Sequence, residues 1–213
     1  MFAWIRKIFD HSTQRTHRRP VRPRRQTFRP AFEGLESRTV PAFLAPVSTA
    51  ASVTANSLAL GDFNGDGLAD IVSVGNISGR GVISVSKGNG DGTFQAAKIS
   101  NSGNSNPLQV RVADFDGDGH LDVVCLGSSY IDSLTVRKGN GDGTFQPPTP
   151  YTYSIPPTEI EVGDVNNDRR PDLIEGNHFF STTGVRMNDG TGHFGPKVDS
   201  PGVIAPTTVE TAE

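Results

Sequence analysis

Short runs of apolar residues recur between residues 55 and 200, and their spacing predicts β-strands. Two runs, Gln109–Val112 and Glu159–Val162, alternate polar and apolar residues with a period of two, and Ser57–Leu60 occupies the corresponding place. β-Branched, apolar runs that suit buried strands follow at Ala69–Val74, Leu121–Leu126 and Pro171–Glu175. A third set of runs lies at Gly81–Val85, Ser133–Arg137 and Gly184–Met187. The pattern therefore predicts three strands in each of three successive segments.

A glycine-rich turn ending in phenylalanine follows each third run, at Gly88–Phe94, Gly139–Phe145 and Asn188–Phe194. Asn-Gly and Asp-Gly pairs favour positive φ and tight hairpins. We expect each phenylalanine to begin a fourth strand and to fill the layer between neighbouring units. Turn chemistry explains this segment without a metal. The alternative is a second cation site that uses Asp91, Asp142 and Asp189.

Four antiparallel strands in about 50 residues are typical of one blade of a β-propeller. The predicted fold class is therefore all-β, a partial β-propeller of about three four-stranded blades. The blades are expected at about residues 55–104, 105–155 and 156–203, within a repeat region of residues 51–205. Residues 1–50 are expected to form a disordered or targeting segment.

An acidic nine-residue loop precedes each second strand, and its first aspartates are 52 and 50 residues apart. Oxygen-bearing side chains recur at positions 1, 3, 5 and 9 of the loop. Calcium takes six to eight oxygen ligands, so these side chains can converge on one ion, with the backbone carbonyl of position 7 as a further ligand. The predicted ligands are Asp62, Asn64, Asp66, Leu68 and Asp70; Asp114, Asp116, Asp118, His120 and Asp122; and Asp164, Asn166, Asp168, Arg170 and Asp172.

The three predicted calcium sites are unequal. The second loop has four aspartates, whereas the third has Asn167 and Arg169 where the others have glycine, so the third site is expected to be the weakest. Affinities on the order of 10⁻⁴–10⁻³ M are expected for extracellular modules. An EF-hand would need a glutamate at position 12 and flanking helices. Only Glu175 meets the first requirement, and the flanking runs are strand-like.

Charge divides the chain into two parts. Residues 1–45 carry a net charge of +7 and residues 46–213 a net charge of −10. Gly and Pro make up 24 and 15 of the 213 residues, which suits short strands joined by turns. Cys125 is the sole cysteine, so no intrachain disulfide forms, and its apolar surroundings predict a core position. The five histidines show no zinc spacing.

The basic N-terminal segment indicates targeting, because nothing downstream supports its alternative use as a nucleic-acid arm. Residues 11–30 lack apolar periodicity and contain three prolines. Leu35, Glu36, Arg38 and Pro41 then resemble the export-associated signature of planctomycete surface proteins. This resemblance implies an exported protein at the cell surface or outside the cell. No nucleic-acid partner is expected.

The acidic loops and glycine turns together resemble the FG-GAP/VCBS-type repeats of integrin-α-like propellers, over residues 55–200. The resemblance implies that each acidic loop joins the first two strands of a blade and binds Ca²⁺. It also implies a non-enzymatic adhesion or recognition protein whose partner is an extracellular protein or a carbohydrate. The alternative is an accessory domain, or a truncated fragment, of a larger propeller-containing hydrolase or lyase. No catalytic arrangement is visible in the sequence.

Residues 206–213 align with residues 157–164 and predict the start of a truncated fourth repeat. Three explanations remain open. The first is that the reading frame is truncated. The second is that a partial propeller is completed by a partner or by self-association through exposed blade edges. The third is that the last strand closes on the first.

Overall fold

A computed structural model describes residues 53–130 and 133–200, which all belong to the unit Pro46–Glu213. Every helix or strand in these two ranges is a β-strand. The basic N-terminal segment, the export signature and the predicted fourth repeat lie outside the described residues.

The strands form three four-stranded antiparallel sheets, each in chain order, as the sequence predicts. Blade 1 contains β1 (Thr54–Gly61), β2 (Asp70–Ile77), β3 (Arg80–Ser86) and β4 (Lys98–Asn101). Blade 2 contains β5 (Pro107–Ala113), β6 (Asp122–Gly127), β7 (Leu134–Arg137) and β8 (Thr149–Tyr151). Blade 3 contains β9 (Glu159–Gly163), β10 (Asp172–Asn177), β11 (Thr182–Arg186) and β12 (Val198–Ser200). The all-β fold class with three blades is confirmed.

Strand β6 of the middle blade is buried along its whole length because blades pack on both of its faces. Val123 and Cys125 point into a cluster with blade 1, whereas Val124 and Leu126 point into a cluster with blade 3. This two-sided burial explains why the run Val123–Leu126 in the second repeat is continuously apolar. The core position predicted for Cys125 is confirmed, and burial raises the pKa of its thiol to about 12.

The phenylalanine of the glycine turn does not begin the fourth strand, contrary to the prediction. Phe94, Phe145 and Phe194 each form an isolated bridge that closes the turn, and the strand begins four residues later. The ring instead enters the layer between blades. Phe145 packs edge-on against Phe63 of the preceding blade at 5.9 Å between ring centroids, and Phe194 packs against Phe115 at 5.2 Å. The predicted interblade role of these two rings is confirmed.

A buried ion pair within blade 3 also ties this blade to the segment that connects it with blade 2. Glu175 in β10 is fully buried, and its Oε1 accepts a hydrogen bond from Arg186 Nε at 2.7 Å. The hydroxyl of Tyr153, in the segment between the two blades, donates to the same oxygen. Burial raises the pKa of Tyr153, so this hydroxyl stays protonated and keeps its donor. Position 12 of the third repeat is therefore a strand residue of the core, not a loop ligand.

Replacement of Arg186 with methionine is expected to lower the free energy of unfolding by about 3 kcal/mol, because it leaves the carboxylate of Glu175 buried without its counter-charge. Urea unfolding followed by circular dichroism measures the loss. The control is Arg111→Met, whose pair with Glu161 is more exposed and is expected to contribute about 0–1 kcal/mol. Equal losses of unfolding free energy in the two variants would show that the buried pair in blade 3 stabilises the protein no more than the exposed pair does.

Candidate metal sites

Each acidic loop joins the first two strands of its blade and folds around the carboxylate at position 1. Asp62 Oδ1 accepts a hydrogen bond from Gly65 N, and its Oδ2 accepts one from Gly67 N, both at 2.8 Å. These backbone donors, that of Gly67 first, lower the pKa of Asp62. Asp114 in the second loop accepts equivalent bonds from Gly117 and Gly119. The carboxylate of Asp62 thus stays ionised, and in both loops the carboxylate at position 1 holds the loop closed.

The carboxylate at position 9 links the acidic loop to the glycine turn of the same blade. Asp122 is fully buried; its Oδ2 accepts a bond from Phe115 N at 2.9 Å and its Oδ1 one from Gly139 N at 2.8 Å. The same pair of bonds recurs in the other two blades, at Asp70 and Asp172. The two loops at this end of every blade are therefore joined through one buried side chain.

Positions 5 and 7 complete the loop. The Oδ1 of Asp118 accepts a bond from His120 N at 2.8 Å, as the equivalent residues do in the other loops. The side chain at position 7 then covers the third residue of the glycine turn, which is Gly90, Gly141 or Gly190. A Cβ built on Gly141 would lie 2.4 Å from the His120 ring, and φ is +71° there, so glycine is required.

Three carboxylates of the second loop converge. Oxygen atoms of Asp114, Asp116 and Asp122 all lie within 4.8 Å of one another. That separation suits a single calcium ion bound at 2.3–2.6 Å, so the donor set fits the predicted metal. Burial, with Asp116 and Asp118 nearby, raises the pKa of Asp122 to about 6. A bound cation would lower the pKa of Asp122 again, because its positive charge favours the ionised carboxylate.

Lysine already places one positive charge beside this cluster. The Nζ of Lys138, which directly precedes the glycine turn of blade 2, lies 3.0 Å from Asp116 Oδ2. The corresponding residues of the other blades are Lys87 and Met187, and position 3 of their loops is asparagine. A lysine thus stands at this place in blades 1 and 2, whereas the additional aspartate occurs in blade 2 alone.

The third loop differs from the other two in burial and in backbone geometry. All residues from Asp164 to Arg170 are exposed, whereas the following blade covers part of the first and second loops. Gly143 N donates to Phe63 O, and Asn188 Nδ2 donates to Phe115 O, each at 2.8 Å. Asn167 and Arg169 adopt φ of 62° and 68°, the left-handed geometry that glycine adopts in the other loops.

Comparison with known proteins agrees with this architecture. Residues 62–125 and 119–175 match the model of the FG-GAP-like repeat family. The chain belongs to this family. No curated protein matches the chain. Each FG-GAP-like match includes an acidic loop and the apolar strand that follows it. Among the described residues, no helix is long and apolar enough to cross a membrane.

Sequence reasoning placed the fifteen predicted ligands in the FG-GAP loops, and the structure brings together Asp114, Asp116 and Asp122. It missed the structural role of position 9 and the charge of Lys138. The structural role of position 9 could have been inferred from the sequence, because the aspartate at this position directly precedes the apolar run of a buried strand. The charge of Lys138 had only a weak signal, the recurrence of lysine before two of the three glycine turns.

The linking role of position 9 makes a prediction for protein in EDTA. Asp70→Asn removes one of two acceptors of buried backbone N–H groups, so it is expected to lower the free energy of unfolding by about 1–3 kcal/mol. Asp66→Asn removes the same charge at exposed position 5 and is expected to change it by less than about 0.5 kcal/mol. Urea unfolding without calcium measures both values. An Asp70→Asn variant as stable as Asp66→Asn would contradict the linking role.

Proposed function

We propose that this FG-GAP-like repeat protein binds Ca²⁺ through its acidic loops and is exported to act outside the cell. The observation that carries the proposal is the convergence of Asp114, Asp116 and Asp122 in the second repeat. Membership of the FG-GAP-like repeat family supports it, since this resemblance implies calcium in the same loop. The sequence around Leu35 to Pro41 supports export.

Calcium in these loops has a structural role in this proposal. Three or four carboxylates crowd one turn and repel, so the binding free energy becomes folding free energy. The ion holds the first two strands of a blade together at the end where the glycine turn also lies. There are up to three sites, of which the third is the weakest because Arg169 and Arg170 bring positive charge to an exposed loop.

Recognition or adhesion, without catalysis, is the proposed activity of the module. The partner is an extracellular protein or a carbohydrate. The strand-to-strand turns at the end opposite the acidic loops support this proposal, because their composition varies between repeats while the acidic loops keep one pattern. Self-association through exposed blade edges stays a prediction.

Calcium is expected to stabilise the full chain against heat. At 10 mM calcium and the affinity expected above, each occupied site adds about 1.4–2.7 kcal/mol. Thermal melts in EDTA, in 10 mM CaCl₂ and in 10 mM MgCl₂ measure the effect, and only calcium is expected to raise the melting temperature clearly. An unchanged melting temperature in calcium would remove the basis of the proposed metal function.

The unequal loops predict unequal losses of this calcium effect. Replacing both Asp116 and Asp118 with alanine is expected to remove more of the calcium-dependent rise than replacing Asn166 and Asp168, the same two positions of the third loop. The reason is that the converging carboxylates lie in the second loop. Both double variants are melted with and without calcium, so that any loss of stability in EDTA is subtracted. Equal losses would contradict the ranking of the sites.

A further inference from the structure

A groove lies across blades 2 and 3 at the end opposite the acidic loops. It has a volume of about 380 Å³ and includes Leu108, Tyr130, Ile155, His178, Phe179 and Phe180 in its lining. This volume falls in the range of roughly 300–1,000 Å³ that is common for small-ligand sites. Its walls come from the turn after β6, the connection between the blades and the turn between β10 and β11.

The aromatic residues of this groove are not required by the fold. Tyr130, Phe179 and Phe180 have 66%, 75% and 59% of their surface exposed. The corresponding hairpin of blade 1 turns through Ser78 and Gly79, both at positive φ, and has no aromatic residue. Clustered, exposed rings on a soluble module mark a binding surface more often than a packing need.

Hydrogen bonds hold the aromatic turn in place. Asn177 is only 3% exposed; its Oδ1 accepts bonds from Phe179 N and Phe180 N, and its Nδ2 donates to Pro156 O at 2.7 Å. The His178 ring lies 3.9 Å from the Phe179 ring between centroids, and its Nδ1 is 3.0 Å from Thr158 Oγ1. The turn is thus tied to the blade connection, and the rings meet a ligand with little ordering cost.

Charge selects the class of ligand. Residues 46–213 carry a net charge of −10, yet the lining of this groove contains no Asp, Glu, Lys or Arg. Its polar groups include the neutral hydroxyls of Ser128 and Thr158 and the neutral amide of Asn177, together with the ring of His178. Aromatic faces beside neutral hydrogen-bonding groups match a sugar ring, which has an apolar C–H face and a rim of hydroxyl groups.

We propose that this groove binds a neutral oligosaccharide, with Phe179 and Phe180 as the stacking residues. The inference rests on the proposed recognition role and names the ligand class. A proline-rich peptide also uses aromatic-lined grooves. The polar groups beside the rings favour the sugar, whose hydroxyl groups they can bond. The peptide therefore serves as the competing outcome of the test.

The test titrates the ¹⁵N-labelled, calcium-saturated full chain with cellohexaose, mannohexaose and xylohexaose, and separately with a decaproline peptide. At least one oligosaccharide is expected to cause saturable amide shifts that centre on residues 177–180 and Tyr130. Phe179→Ala and Phe180→Ala are each expected to weaken this binding about tenfold or more. Leu58→Ala is the control, because Leu58 is 62% exposed on blade 1 and is expected to leave the affinity unchanged.

The outcomes separate the groove from the metal sites. The proposal is overturned if none of the three oligosaccharides causes amide shifts at concentrations up to about 10 mM, where only very weak binding would go undetected. It is also overturned if decaproline alone causes shifts. Unchanged affinity in both phenylalanine variants, whose melting temperatures show whether they are folded, overturns it as well. A calcium-dependent melt that persists while oligosaccharide binding fails rejects the groove alone. Oligosaccharide binding without a calcium effect supports the groove and rejects the metal function.

Discussion

The two hydrogen bonds of the buried aspartate at position 9 set the geometry of each blade. Asp122 accepts one bond from the acidic loop and one from the glycine turn, and its side chain is fully buried. A buried carboxylate is costly unless such donors compensate it. The first two strands and the last two strands of the blade are therefore linked at one end, where the predicted metal ligands and the interblade phenylalanine also lie.

Packing between blades depends on that end of the sheet. Because Gly139 N is fixed by Asp122, the glycine turn closes and places the ring of Phe145 against Phe63 of the preceding blade. The backbone of the same turn also bonds across the interface, since Gly143 N donates to Phe63 O. Loop geometry and the hydrophobic layer are thus one cooperative unit, and the proposed binding of calcium at the loop would act on both.

Local periodicity was sufficient to predict the strands, because β6 is apolar on both faces, its equivalents are rich in β-branched and other apolar residues, and Asn-Gly and Asp-Gly pairs mark the turns. It was not sufficient for Phe94, Phe145 and Phe194, which lie four residues before the fourth strand. An apolar ring after a turn is compatible with the start of a strand and with a place in the layer between blades. Which of the two it adopts depends on the neighbouring blade, which is distant in the sequence. The same holds for Glu175, whose partners Arg186 and Tyr153 lie 11 and 22 residues away.

The two ends of a blade are under different physical constraints, and this division explains where sequence variation is permitted. At the acidic-loop end, backbone donors, a buried carboxylate and glycines at positive φ leave little freedom. The opposite end needs only a hairpin, for which Ser78 and Gly79 suffice in blade 1. Blade 3 can therefore carry Phe179 and Phe180 in its hairpin without disturbing the interblade core. One end of each repeat is thus constrained by its fixed pattern of loops, while the other is free to present different side chains, and the proposed metal binding and recognition divide between these two ends.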